Sequence, residues 1–529
     1  MDDWSDAVGW HESCPPSVSG DPRPPAPDPY DAVPYTSRPI PQTHPDALAT
    51  AAYLAGLDPA PVSGCRVLEL GCGEGVNLLA MAVGLPGSRF LGIDRSGRQI
   101  ALATALASEL ALPNIEFQRG DIAELGQLGN AFDYVVCHGV YSWCPRHIQD
   151  AILSAGVGLL ARHGVFYLSY NTYPGWHRLA SLRWLMRYGA DEDGPWEVRV
   201  ANARRYLSHI AGLLTDGRAY ATQLKEAVAS IWALPDCYLF HEFLEPENEP
   251  IYFADLARRA AEHGLCYLGE SRLESESALS VKAREAAKAE SRDPIDYEQN
   301  LDFLIDRTFR RSLFVHEGAP VDWSQASERL LGLRFSTDWE PVAAAPSSSG
   351  DDEFFLASRP TRHVKLSEPL LAATLRALAR ARPAALTLDQ LVPAVRGVVG
   401  PGISASHERI VDALVRCRSA GVVVAHVWSL PDPDPMVARP AASPLARAQA
   451  RSSNCVANLL QQSVCLTDLE RDLIQNLDGM VDRSSLAEIA AARLSSAINL
   501  TFPESRSAPR VEEVERALCR LRSEALLMA

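Results

Sequence analysis

Between Cys65 and Tyr170 the chain alternates between two hydrophobic periods. Short, continuous apolar runs occur at Arg66–Leu70, Arg89–Asp94, Ile115–Arg119, Phe132–Cys137 and Val165–Tyr170, each with the length of a buried strand. Between most of them, near Asn77–Leu85, Gln99–Ala111 and His147–Ala161, apolar positions recur at the spacing of one helix face. Strands joined by crossover helices predict an α/β fold built on a parallel, doubly wound sheet. A further helix at Phe253–His263 and strands at Leu265–Leu268 and Ser312–His316 place the end of that sheet after a mainly helical insertion, about 184–243.

The flanking segments have a different texture. Residues 1–28 are rich in Pro, Ser and Asp and are expected to form a mobile tail. Breaks at 342–352, which contains Pro346-Ser347-Ser348-Ser349-Gly350, and at Pro431-Asp432-Pro433-Asp434-Pro435 divide the rest. The expected units are therefore 29–330, 331–435 and 436–529. The last two are short, helix-rich and winged-helix-like, with a strand at Val422–Val427 closing the first of them.

Composition narrows the picture. A chain of 529 residues is too long for one core, and 47% hydrophobic with 22% charged residues is ordinary for globular domains. No apolar run approaches the ~20 residues of a membrane-spanning helix, so no membrane insertion is expected. The acidic start, Met1-Asp2-Asp3-Trp4, is unlike a secretory leader. Eleven scattered cysteines fit reduced thiols in a cytoplasmic protein, and no paired CxxC elements suggest a metal. The net charge of −16, without a basic block, argues against a nucleic-acid partner. Such charge either steers a lysine-rich protein toward the chain or simply keeps it soluble.

The sharpest chemical signal is Glu69-Leu70-Gly71-Cys72-Gly73-Glu74-Gly75-Val76-Asn77, a strand running through a glycine turn into a helix. Glycine lets the backbone turn tightly and approach a ligand closely. Glu69 supplies a carboxylate that attracts the cationic end of a ligand and would repel a pyrophosphate. Asp94 ends the next strand, where an acid accepts ribose hydroxyls, and Asp121-Ile122 follows the third, where an acid beside an apolar residue holds an adenine amino group. All three acids fall at the sheet edge where open α/β folds bind ligands.

Two polar, aromatic clusters share that edge. His138-Gly139-Val140-Tyr141-Ser142-Trp143 follows the fourth strand, and Ser169-Tyr170-Asn171-Thr172-Tyr173-Pro174-Gly175-Trp176-His177 follows the fifth. Tyr141 and Trp143 either wall a pocket, holding a cation against their π faces, or belong to the core; His138 either faces the pocket or caps its strand. Tyr170 and Asn171 join them as candidate catalytic residues. Upstream, Tyr35 and His44 lie in a segment, Tyr30–Pro45, placed to fold over the ligand as a lid. His241-Glu242-Phe243-Leu244-Glu245 lacks the second histidine of a zinc helix. It is read as a loop whose Glu242 or Glu245 accepts a proton, or as a buried ion pair.

The glycine turn and its three acids resemble the class I S-adenosylmethionine-dependent methyltransferases, which have a Rossmann-like domain. By that resemblance Gly71, Gly73 and Gly75 line the methionine part, Asp94 takes the ribose and Asp121 the adenine, with Glu69, Asn77 and Ile122 also read as cofactor-binding. The aromatic motifs, with His241–Glu245, Asp302-Phe303, Arg307, Phe309-Arg310, Pro440, Ser443–Arg447 and Leu477–Gly479, extend the resemblance. They are similar to the methyltransferases that carry a methyltransferase regulatory domain, including the protein lysine methyltransferases acting on outer membrane protein B. That family implies an amine on a protein as methyl acceptor and a helical region that can mediate a homodimer. A peptide or small-molecule acceptor of natural-product biosynthesis stays open, as does a non-catalytic cofactor-binding role.

Overall fold

The computed structural model describes residues 31, 33, 37–127, 132–191, 194–215, 217–232, 234–271, 279–342, 352–357, 359–399, 403–434, 437–486, 488–489 and 511–528. The tail 1–28, Tyr35 and most of the expected linker after Val342 lie outside the described residues.

Among those residues one sheet has seven strands: β1 Arg66–Leu70, β2 Arg89–Asp94, β3 Ile115–Arg119, β4 Phe132–Cys137, β5 Leu160–Asn171, β6 Leu265–Glu270 and β7 Phe309–His316. Their order is β3-β2-β1-β4-β5-β7-β6. The first five run parallel. The expectation of a parallel sheet stops there, because β7 lies between β5 and β6 and runs antiparallel to both. β5 is longer than its apolar run, because its first residue, Leu160, pairs with Phe132 and so begins the strand ahead of the polar Arg162-His163.

Alternation along the strands sorts their side chains to two faces. Val67, Tyr134, Val136, Val165 and Tyr167 pack with the helix Pro45–Leu54 on one face. Leu68, Leu70, Val135, Cys137, Phe166 and Leu168 pack with the helices Arg146–Leu159 and Phe253–Glu262 on the other. Register sets the edge: Leu70 pairs with Ile93 and Cys137, Asp94 with Arg119, and Cys137 with Leu168. Gly71, Asp94, His138 and Ser169 therefore emerge side by side where the parallel strands end.

The helical insertion runs through Gly175–Gly189, Trp196–Leu213 and Ala219–Trp232 around its own core of Leu182, Met186, Val200, Leu207, Ile231 and Phe243. The following region packs the helices Pro369–Ala381, Leu388–Arg396 and His407–Ser419 against a small sheet of Arg334–Ser336, Leu386–Thr387 and Val424–His426. The strand expected at 422–427 is thus three residues long. The C-terminal region sets a hairpin, Cys455–Ala457 with Ser463–Cys465, beside the helices Pro444–Gln449, Asp468–Asn476 and Val511–Ser523. Among the described residues no helix is long and apolar enough to cross a membrane.

Candidate active site

Gly71, Gly73 and Gly75 all take positive φ, at 74°, 55° and 73°. A Cβ on Gly71 would meet Val140 at 2.4 Å and one on Gly75 would meet Phe117 at 2.4 Å, so turn and sheet are packed for glycine. Asp94 organises the turn: one carboxylate oxygen accepts the Gly73 N–H at 2.9 Å and the other the Ser96 N–H at 2.9 Å. Asp121 is exposed and accepts the Ala123 N–H at 2.9 Å, while half-buried Ile122 packs on the core below it.

Glu69 is a carboxylate buried in the central strand at 3% exposure. Its Oε1 accepts the Asn77 side-chain N–H at 2.8 Å, and its Oε2 is buried with no hydrogen-bond partner among the described residues. Burial pushes its carboxyl up to about 8, with Asn77 opposing that rise and Asp94 adding to it. Such an atom is an acceptor waiting for a donor, which fits the cationic end of the ligand read from the sequence.

Asn77 joins several segments. Its Oδ1 accepts from the Ile40 N–H at 2.8 Å, and its Nδ2 donates to Thr43 Oγ1 at 3.0 Å. The segment before Pro45 therefore lies over the turn, and Ser37 Oγ accepts the Glu74 N–H at 3.2 Å. His44 does not take the ligand-facing position expected of it. Its Nδ1 caps the helix Pro45–Leu54 by accepting from the Asp46 N–H at 3.1 Å, its ring lies 5.7 Å from that of Trp428, and burial lowers it to about 4.

Several residues expected to be catalytic are buried or half-buried, and the buried Tyr141 hydroxyl has no hydrogen-bond partner among the described residues. Tyr141 and Tyr170 are buried in the core with their rings 6.2 Å apart. The Arg259 guanidinium lies over Tyr141, and the Tyr170 hydroxyl is bonded to Ser312 Oγ at 2.9 Å. Ser312 in turn donates to Glu270, which pairs with the fully buried Arg310. His138 is half-buried, its Nδ1 bonded to the Tyr167 hydroxyl at 2.8 Å, and burial, with Arg311 and Arg38, holds it well below its usual range. Asn171 is buried; its backbone N–H donates to Ser142 Oγ at 2.8 Å, and its Nδ2 has no partner among the described residues.

Residues 240–244 form a π-helical turn rather than a loop. His241 Nε2 donates to the Val33 carbonyl at 2.9 Å and Nδ1 lies 3.2 Å from Glu245, a buried contact that occupies Glu245 and leaves Glu242 outside it. Arg183 ties this turn to the site: it donates to the carbonyls of Glu242 and Glu245 while its guanidinium lies 5.9 Å from the Trp143 ring centroid. Trp143 meets Trp176 edge-on. The half-buried Glu242 is left beside a cation with its carboxyl pushed up to about 7 by burial. No cluster that could hold a metal ion occurs among the described residues.

Three further residues gather past β5. Tyr173 stacks on His177 with centroids 4.2 Å apart, and His177 Nε2 is bonded to the Tyr252 hydroxyl at 2.9 Å. Gln461, from the C-terminal hairpin, donates to Asn77 Oδ1 at 2.9 Å. The aromatic motif had signalled the first cluster; nothing in the local sequence marks Gln461.

Comparison with known proteins follows this geometry. Residues 61–172 match a methyltransferase domain, 235–316 a family described as "Predicted methyltransferase regulatory domain", and 438–526 the "PKMT, C-terminal winged helix domain". Two uncharacterized proteins of Rickettsia prowazekii (strain Madrid E) are similar. One is 31% identical over 66% of this chain and 64% of its own length; the other is 34% identical over 44% of this chain and 93% of its own length. The chain thus spans slightly under two thirds of the first relative. The solved structure of PKMT2 from Rickettsia typhi in complex with AdoHcy superposes with a TM-score of 0.80 at 25% identity, covering 94% of this chain and 100% of that one.

Proposed function

Since this chain belongs to the class I S-adenosylmethionine-dependent methyltransferases that carry a methyltransferase regulatory domain, we propose that it methylates lysine side chains of a protein. The observation that carries the donor site is the buried, unpartnered Oε2 of Glu69 beside a glycine turn that admits no side chain. In this reading Glu69 receives the α-amino end of the donor, Gly71, Gly73 and Gly75 line its methionine part, Asp94 takes the ribose, and Asp121 with Ile122 takes the adenine. S-adenosylmethionine supplies a methyl group already activated on a sulfonium, so the protein's main contribution is alignment.

The acceptor must offer a neutral lone pair, and free lysine, with a pKa of about 10.4, is protonated at neutral pH. Trp143 and the stacked Tyr173–His177 pair, with Tyr252, present aromatic faces and rims on the same edge, suited to an alkylammonium. Glu242, with its carboxyl near neutrality, takes the proton. The nitrogen then forms its bond to the methyl carbon as the carbon–sulfur bond breaks, and the electron pair leaves on sulfur.

The likeness to the PKMT winged-helix family supports a protein acceptor. The test is transfer from methyl-tritiated S-adenosylmethionine to lysine-rich proteins, followed by acid hydrolysis. Label co-migrating with methyl-lysines, and lost when the lysines are acetylated beforehand, supports the reading. Label only in base-labile esters or in small molecules overturns it.

A further inference from the structure

The C-terminal region reaches into the donor site. The hairpin Cys455–Ala457 with Ser463–Cys465 carries at its tip residues 458–462, which lie against the helix Val76–Gly84 that follows the glycine turn. Leu459 of the tip packs with Leu79, Ala80 and Val83 of that helix in one apolar cluster. Beside it Gln461 is fully buried, with its backbone in the left-handed region at φ 60°. That conformation is unfavourable for a residue with a Cβ and persists only where the surroundings impose it. Here they do: Asn458 Oδ1 accepts the N–H groups of Leu460 and Gln462 at 2.9 and 2.8 Å, and Asn458 Nδ2 donates to the Glu524 carbonyl at 2.9 Å.

From this braced tip Gln461 Nε2 donates to Asn77 twice, at 2.8 Å to its backbone carbonyl and at 2.9 Å to its Oδ1. An amide side chain has two unlike ends, and its environment decides which way it points. Asn77 Oδ1 faces the Ile40 N–H and Gln461 Nε2 as donors, Asn77 Nδ2 faces Glu69 Oε1 as acceptor, and the Thr43 hydroxyl lies within reach of both ends. Reversed, the amide would set N–H against N–H and oxygen against the Glu69 carboxylate. We propose that Gln461 is a positioning residue of the donor site: it holds Asn77 so that its N–H steadies Glu69, and it thereby makes donor affinity depend on the docked C-terminal hairpin. This rests on reading the Glu69 pocket as the S-adenosylmethionine site. Linkage makes the dependence reciprocal, so a bound donor strengthens the docking of the hairpin by the same factor.

Besides the neutral Asn77 amide, the titratable groups facing Glu69 are Asp94, Cys72, Cys137 and Tyr167. Burial holds the two thiols and the phenol neutral, and Asp94 adds only repulsion. Loss of the Gln461 donor therefore leaves Glu69 harder to ionise.

The experiment is calorimetric titration of the full chain with S-adenosylhomocysteine, comparing wild type with Gln461→Met, which keeps the bulk, and Gln461→Asn, which tolerates the backbone but falls short of Asn77. Both are expected to bind at least tenfold more weakly, with the pH midpoint of binding moved upward. In an Asn77→Ala background Gln461→Met is expected to change affinity less than twofold. Ser463→Ala, an exposed change on the same hairpin, is expected to stay within threefold of wild type. Wild-type affinity and midpoint in both Gln461 variants, or a full tenfold effect of Gln461→Met without Asn77, overturns the proposal alone. Failure of the wild type itself to bind overturns the cofactor reading and this proposal with it.

Discussion

Asn77 holds Glu69 at 2.8 Å, and that bond works against the burial that pushes the Glu69 carboxyl up to about 8. Below that value the carboxyl is mostly protonated, so seating a cation beside it requires the proton to leave first. Affinity for S-adenosylmethionine is therefore expected to rise with pH, by up to about tenfold per unit between pH 6 and 8, and then to level off. Stability of the unliganded protein has the opposite sign. The folded pKa lies above the unfolded value, so stability falls as pH rises from the unfolded carboxyl range, about 4.3, to about 8. Glu69→Gln should flatten both curves and weaken binding. Titration calorimetry and thermal unfolding across the same buffers check the pair of signs.

The glycine turn predicts a second outcome. Alanine at Gly75 meets both a φ of 73° and Phe117 Cζ at 2.4 Å. The left-handed backbone costs about 1–2 kcal/mol for a residue with a Cβ, and overpacking adds about 1–3 kcal/mol. Gly75→Ala is expected to destabilise by the sum of the two, and shortening the ring in Gly75→Ala/Phe117→Leu should recover the packing share only. Urea denaturation of both variants separates the two contributions.

Behind the aromatic edge, Arg310 is fully buried and pairs with Glu270, Glu298 and Asp302, while Arg307 also pairs with Asp302. Removing one partner of a buried ion pair strands the others in low dielectric, at about 3–5 kcal/mol. Arg310→Met should cost that much in denaturant unfolding. It should also weaken methyl transfer, since β7 carries Ser312, which holds Tyr170 and Glu270.

The features legible in the sequence are those set by neighbours in the chain. β1 to β4, the glycine turn and the acids Glu69, Asp94 and Asp121 follow from local periodicity and from where strands end. Tyr141 and Tyr170 stand at that edge too, yet Arg259 and Ser312, each more than a hundred residues downstream, commit them to the core. The turn at His241 is helical because Val33 and Arg183 hold it from outside. Gln461 meets Asn77 across 384 residues, a separation no short motif encodes.

The remaining prediction concerns the proton on the acceptor. Glu242 sits on the π-helical turn that Arg183 holds against Trp143, and burial brings its carboxyl up to about 7 while Arg183 partly restrains the rise. A base acts in its ionised form and works best with a pKa near the working pH. The rate of transfer at saturating donor is therefore expected to climb with pH through about 7. Glu242→Gln keeps the shape, removes the base, and should lower kcat by about 10²–10⁴-fold while abolishing the acidic limb. Donor affinity should stay unchanged, because Glu69 and Asn77 are untouched. Rate against pH for both proteins, with binding measured alongside, tests the assignment. An acidic limb that persists in Glu242→Gln places the base elsewhere, and the stacked His177, bonded to the Tyr252 hydroxyl, is then the next residue to replace.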